Sequence, residues 1–206
     1  MPRSSQERDQ RRERILAGAI EAFAAKGFHG TRVRDVAKAA GCADGTIYLY
    51  FRGKNDLLAQ IFSTSLERFW ERGRPYLEAT GDPAEQLARL LELHLRFLGE
   101  NRALATVFQV DLRHSTQFLE EVSRKTLRGH LDKMTAIIGR GQQHGRFRAP
   151  LPPAQAALMV FGVLDQLVSS WVLSRRNYRL ESAIPAARGF VLRALGAEEE
   201  EVAPRD

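Results

Sequence analysis

Between Thr31 and Lys54 the sequence TRVRDVAKAAGCADGTIYLYFRGK gathers small hydroxyls, phenols and guanidinium groups within two dozen residues. Thr31, Arg32, Arg34, Thr46, Tyr48 and Tyr50 are groups that hydrogen-bond phosphates and base edges or touch thymine methyls, and Gly45 adds a place without side-chain bulk. Such groups act together only if one short element presents them. Val33, Val36, Ala37 and Ala40 recur at helical spacing, which turns Arg34, Asp35 and Lys38 to water. Gly41 stops that helix, because glycine takes the left-handed conformation without a Cβ penalty. A second helix starts near Asp44, with Ile47 and Phe51 four residues apart and pointing inward. Two short helices across a glycine-containing turn form a helix-turn-helix, whose second helix lies in the DNA major groove.

Other chemistry is sparse. Cys42 is the single cysteine among 206 residues, which excludes an internal disulfide and a cysteine metal cluster. It reads as a small buried hydrophobe. His94 has no second histidine or acid at i+4 and reads as a core or pocket-edge residue. No nucleophile elbow, phosphate-cradling glycine loop, metal-ligand set or cofactor motif is present, so the chain is expected not to be an enzyme and to need no cofactor. The net charge is +6. Residues 1–54 hold eleven Lys/Arg against six Asp/Glu, a balance of +5, and the remainder holds twenty against nineteen. The basic excess therefore sits at the helix-turn-helix end, where a DNA-binding segment displaces counterions. The near-neutral remainder argues against a non-specific architectural DNA binder. The amino terminus is polar and charged, and no run reaches 18 apolar residues, so the expectation is a cytoplasmic protein with no membrane partner.

Apolar residues recur at three and four throughout, so the fold class is all-α, with a helix-turn-helix domain over 1–54 and a larger helical domain over 55–206. A basic arm over residues 1–8 is expected to be disordered. The pattern predicts helices over about Asp9–Lys26, Lys54–Tyr76 (ended by Pro75 and then Gly81-Asp82-Pro83), Pro83–Asn101, a short one to about Arg113, Gln117–Gly141 (ended by His144-Gly145), Pro153–Arg175 and Ser182–Leu195. Arg11, Arg12 and Arg14 read as solvated. The segment ALMVFGVLDQLVSSWVL is apolar nearly all round, which implies burial on several sides. The tail AEEEEVAPRD reads as acidic and disordered.

GCADGTIYLYFRGKNDLL resembles the amino-terminal signature of the TetR family of bacterial transcriptional regulators, about fifty residues matching in order. The resemblance implies a TetR-like fold of about nine helices, in which GTIYLYF is the recognition helix and Lys54 opens the next helix and meets a phosphate. It also implies a homodimer built by the last two helices, reading double-stranded operator DNA at half-sites about 34–36 Å apart. Two departures stand out: Arg32 replaces the usual Thr cap, so the cap is lost or passes to Thr31, and Asp44 stands where a basic residue is common. ADGTIYLYF, FQVDLRHST and FGVLDQLVSSWVLSRRNYRL further resemble the fatty-acid-degradation (FadR-type) repressors of that family, which bind long-chain acyl-coenzyme A (acyl-CoA) and release DNA. That effector requires an apolar tunnel and a cationic mouth. Phe97, Leu104, Phe108, Leu112, Phe161, Leu164 and Trp171 are candidates for the tunnel. Arg113, Arg175, Arg176 and Arg179 are candidates for the mouth, with Asp165 orienting a base or bonding at the dimer seam. The alternative is a repressor of an efflux or detoxification operon that senses an amphipathic drug.

Overall fold

The computed structural model describes residues 5–111 and 124–197. Among these, nine α-helices are formed and no strand: α1 Ser5–Gly30, α2 Val33–Ala39, α3 Asp44–Tyr48, α4 Lys54–Glu78, α5 Pro83–Gly99, α6 Arg102–Thr106, α7 Arg124–Gln143, α8 Pro153–Leu173 and α9 Ile184–Ala194. One π turn, Val107–Asp111, follows α6, and a 3-10 turn, Leu180–Ala183, precedes α9. The chain divides into two compact units, Met1–Arg68 with Asn101–Thr126, and Phe69–Glu100 with Leu127–Asp206. Helix α4 contributes its first part to one and its last part to the other.

In the first unit α1 packs on α2, and α2 on α3. Ile15, Ala19 and Phe23 of α1 are buried with Val36, Ala37, Ile47 and Phe51, the stripe that the periodicity predicts. Gly18 marks the closest approach, since a Cβ there would lie 2.6 Å from the Ala40 nitrogen. Gly27 breaks the α1 geometry at φ 70°, ψ 159°, and Gly41 turns the chain at φ +62°. Three expectations need correction. Residues 5–8 are helical rather than a disordered arm. Arg12 is half-buried, hydrogen-bonds Gln60 and lies over the Phe51 ring, so it ties α1 to α4 instead of facing water. Pro75 lies inside α4, which runs on to Glu78.

In the second unit Leu87, Leu90, Leu91 and Leu95 of α5, Met134 and Ile138 of α7, and Leu164 and Val168 of α8 are all buried. Asp82 caps α5 by accepting from the Ala84 N–H, and its carboxylate takes two 3.0 Å bonds from Arg146. The Arg146 guanidinium, more than the capping bond, holds the Asp82 carboxyl below its ordinary range. Helix α8 ends at Leu173, two residues before the expected Arg175. It is the one helix among the described residues long and apolar enough to cross a membrane by length and composition. Its buried stripe packs as a core helix does, on α5 and α9. It is not buried all round, however. Met159, Gly162, Gln166, Ser170 and Leu173 follow one another at three and four and are all exposed, Met159 by 59% and Leu173 by 76%. Residues 112–123 and 198–206 lie outside the described residues, and with them Leu112, Arg113, the expected helix start at Gln117 and nearly all of the acidic tail.

Candidate DNA-reading surface and effector chamber

Helix α2 begins after Arg32, whose N–H donates to Asp35 Oδ2 at 2.8 Å; no side chain caps it from the Arg32 position. Lys26 reaches the other Asp35 oxygen at 2.6 Å, and these bonds, Lys26's first, hold the Asp35 carboxyl below its ordinary range. Arg32 and Arg34 are left exposed beside this anchored acid. Thr31 does not take over the cap. It is 1% exposed, with its hydroxyl 3.0 Å from Ala22 O and 2.7 Å from Gly27 O, so its side chain locks the end of α1 and is withdrawn from any DNA contact.

Helix α3 is five residues long and is held from beneath by Ile47 and, just past its end, Phe51. That leaves Gly45 and Tyr48 outside, with Thr46 and Tyr50 half-buried at the flanks. Tyr48 is 61% exposed and Leu49 71%. Nothing in the sequence marked Leu49, because an apolar residue between two tyrosines reads as core; here it is an apolar side chain on the outer surface. A Cβ on Gly45 would meet nothing within 4 Å, so the fold does not require glycine there. Lys54 opens α4 as the resemblance implies, and its ammonium is engaged within the protein. Its ammonium donates to Phe28 O at 2.7 Å and Thr31 O at 3.1 Å and sits 4.4 Å from the Phe28 ring centroid. Two of its three donors are thus spent on joining the start of α4 to the end of α1.

The second unit holds a cluster of rings. Phe69 lies edge-on to Phe97 at 5.6 Å, His94 at 6.0 Å and His130 at 5.4 Å, and Phe161 closes the far side at 6.1 Å from His94 and 5.8 Å from His130. His94 keeps some solvent access, yet burial pushes its imidazole down to about 4. His130 is pushed to about 3 by burial first, then by His94 and Lys133. Both rings are therefore neutral at ordinary pH. Among the described residues, at least three His, Cys, Asp or Glu side chains do not come together as a metal site would require.

Of the other effector candidates, Leu104 is buried in the first unit, where Phe108 lies edge-on to Phe62 at 5.3 Å. Trp171 is buried, and its indole N–H donates to Tyr178 O at 2.8 Å, folding the chain back after α8. Asp165 is half-buried rather than deep inside the helix packing. Arg175, Arg176 and Arg179 are all exposed, Arg179 beside Glu181 at 3.3 Å.

Compared with known proteins, residues 15–61 match the bacterial regulatory proteins of the TetR family, and residues 62–194 match the YsiA-like protein C-terminal region of that family. The chain belongs to the TetR family. It is 35% identical over 166 residues to the fatty acid metabolism regulator protein of Bacillus subtilis, covering 81% of this chain and 86% of the relative. The solved fatty acid degradation regulator FadR from Bacillus halodurans superposes with a TM-score of 0.85 at 32% identity, over 91% of this chain and 97% of that one. FadR from Bacillus subtilis, solved in complex with stearoyl-CoA, superposes with a TM-score of 0.82 at 31% identity, over 91% and 99%. The TetR helix-turn-helix and the FadR-type likeness read from the sequence both hold.

Residues missed in the sequence lie where α4 and α7 line one groove. Trp70, Arg74 and Leu77 of α4 face Lys133, Ile137 and Arg140 of α7 across about 360 Å³. The signal was present: His130, Lys133, Ile137 and Arg140 follow at i, i+3, i+7 and i+10, one helical face. The apolar stripe of Leu131, Met134 and Ile138 beside it masked the pattern.

Proposed function

We propose that this TetR-family chain is a repressor of fatty-acid degradation genes that binds operator DNA as a homodimer and leaves it when long-chain acyl-CoA binds. The observation that carries the reading is the 35% identity with a fatty acid metabolism regulator, together with 31% identity to a FadR solved with stearoyl-CoA. Residues 1–54 supply the DNA contacts: Arg32, Arg34, Gly45, Thr46, Tyr48, Leu49 and Tyr50. Residues 55–206 supply the effector and dimer surfaces. The exposed Met159–Leu173 stripe of α8, with Phe190 of α9 exposed by 60%, favours a second copy as its cover. Gly162 and Ser170 would let two such helices approach closely. The protein acts in the cytoplasm, where its DNA is.

Helix α4 starts at Lys54, bonded to the end of α1, and runs on to Trp70 and Arg74 in the groove. Ligand that fits better when α4 is displaced shifts the population away from the DNA-binding form. By linkage, operator DNA weakens acyl-CoA binding by the same factor. A mobility-shift titration on the DNA upstream of the protein's own gene tests this. Loss of the shift with stearoyl-CoA, but not with coenzyme A or stearate, is the expected result. A shift that survives all three would sink the effector and favour the drug-sensing repressor.

A further inference from the structure

His130 is 2% exposed, and neither ring nitrogen has a hydrogen-bond partner among the described residues. A neutral imidazole carries one donor and one acceptor, and burying both unmet is costly. A ring kept for packing alone is better served by Phe, as Phe69 and Phe161 beside it are. The orphaned nitrogens therefore point to a polar ligand group.

What lies beside His130 narrows that ligand. Trp70 lies against it, ring centroids 5.2 Å apart and tilted by 52°, and Trp70 also lines the groove, with the Lys133 ammonium 4.2 Å from the indole centroid. Arg74 and Arg140 stand further along. Among the described residues Arg140 bonds a neutral group, Gln86 Oε1 at 2.8 Å. Glu78 is the acid in the lining, one turn from Arg74. From His130 to Arg140 is ten residues of α7, an axial rise of about 15 Å. A pantetheine arm spans a comparable distance between its thioester and its pyrophosphate.

We propose that His130 donates a hydrogen bond to the thioester carbonyl of bound acyl-CoA, and that Arg74, Lys133 and Arg140 hold its phosphates in the groove past Trp70. This rests on the acyl-CoA reading above and moves the cationic mouth from Arg175, Arg176 and Arg179 to α4 and α7. The acyl chain then enters among Phe69, Phe97 and Phe161, and His94, 6.1 Å from His130, lies on its path. Cationic side chains suit the phosphates, and the guanidinium groups add bidentate geometry.

Calorimetric titration with stearoyl-CoA and with stearate tests it. Wild-type protein should bind stearoyl-CoA. Arg74→Ala/Lys133→Ala should weaken stearoyl-CoA at least tenfold and leave stearate binding unchanged, with melting and operator binding retained. His130→Phe should weaken stearoyl-CoA at least tenfold, and His130→Gln, which restores a donor, should recover part of the loss. If His130→Phe fails to fold, the exposed groove pair still decides. Wild-type affinity in the groove variant, with loss in Arg175→Ala/Arg176→Ala/Arg179→Ala, would overturn the inference while leaving acyl-CoA as effector. Failure of wild-type protein to bind stearoyl-CoA would remove the effector reading itself, and this site with it.

Discussion

Removing the Lys54 ammonium separates a structural role from a phosphate contact. Lys54→Met keeps the apolar stem and deletes the bonds to Phe28 O and Thr31 O, at 2.7 and 3.1 Å, and the contact over the Phe28 ring. Hydrogen bonds from a charged donor are worth about 1.5–3 kcal/mol, and a cation over a ring about 0.5–1 kcal/mol near the surface. Lys54 is half-buried, so water replaces part of both. A net loss of about 2 kcal/mol remains. For a chain of this size that lowers Tm by about 4–8 °C. Binding should weaken on operator and random DNA alike, because α4 is no longer fastened to α1. The slope of log K against log salt should change by much less than the ~0.9 that one lost phosphate contact gives. Thermal melting followed by circular dichroism, with binding isotherms over a range of salt, measures both. An unchanged Tm with a slope reduced by about 0.9 would refute the reasoning and place the ammonium on a phosphate in solution.

Gly45→Ala should leave Tm unchanged or slightly raised, since the added Cβ meets nothing within 4 Å in the protein, yet weaken operator binding by about 1–3 kcal/mol through bulk at the DNA; equal affinity would remove Gly45 from the interface. Met159→Glu places charge on a side chain that is 59% exposed in one chain, so the variant should fold and sediment as a monomer, and a dimer in the ultracentrifuge would move the interface elsewhere. Folding stability should be whole above pH 6.5 and fall as the pH drops toward about 4. Below 6.5 the unfolded chain protonates His94 and His130, while the folded chain refuses those protons until about 4 and about 3. The slope approaches about 1.4 kcal/mol per pH unit for each histidine. Denaturant titrations between pH 6.5 and 5 should show His130→Phe with about half the wild-type slope, and an unchanged slope would mean that His130 is not the buried neutral group.

The sequence by itself settled the elements and the family. Apolar spacing placed the helices, Gly41 and Gly145 stopped two of them, and Gly-Thr-Ile-Tyr-Leu-Tyr-Phe specified a reading helix, because caps, turns and period are local properties of the chain. Local properties also sufficed to put Ile47 and Phe51 beneath α3 and Tyr48 on its outside. What a polar side chain does was decided by partners far along the chain. Thr31 looked available for DNA and is buried on carbonyls of α1. Lys54 looked like a phosphate ligand and reaches back 26 residues to Phe28 O. Arg12 looked solvated and bonds Gln60, 48 residues away. The open face of α8 could not be seen either, since an apolar helix reads the same whether its neighbours come from its own chain or from another. His94 and His130, 36 residues apart in the chain, have ring centroids 6.1 Å apart because the fold brings α5 and α7 to one cluster of rings. Periodicity tells a residue which way to face; only the packed structure tells it what it will find there.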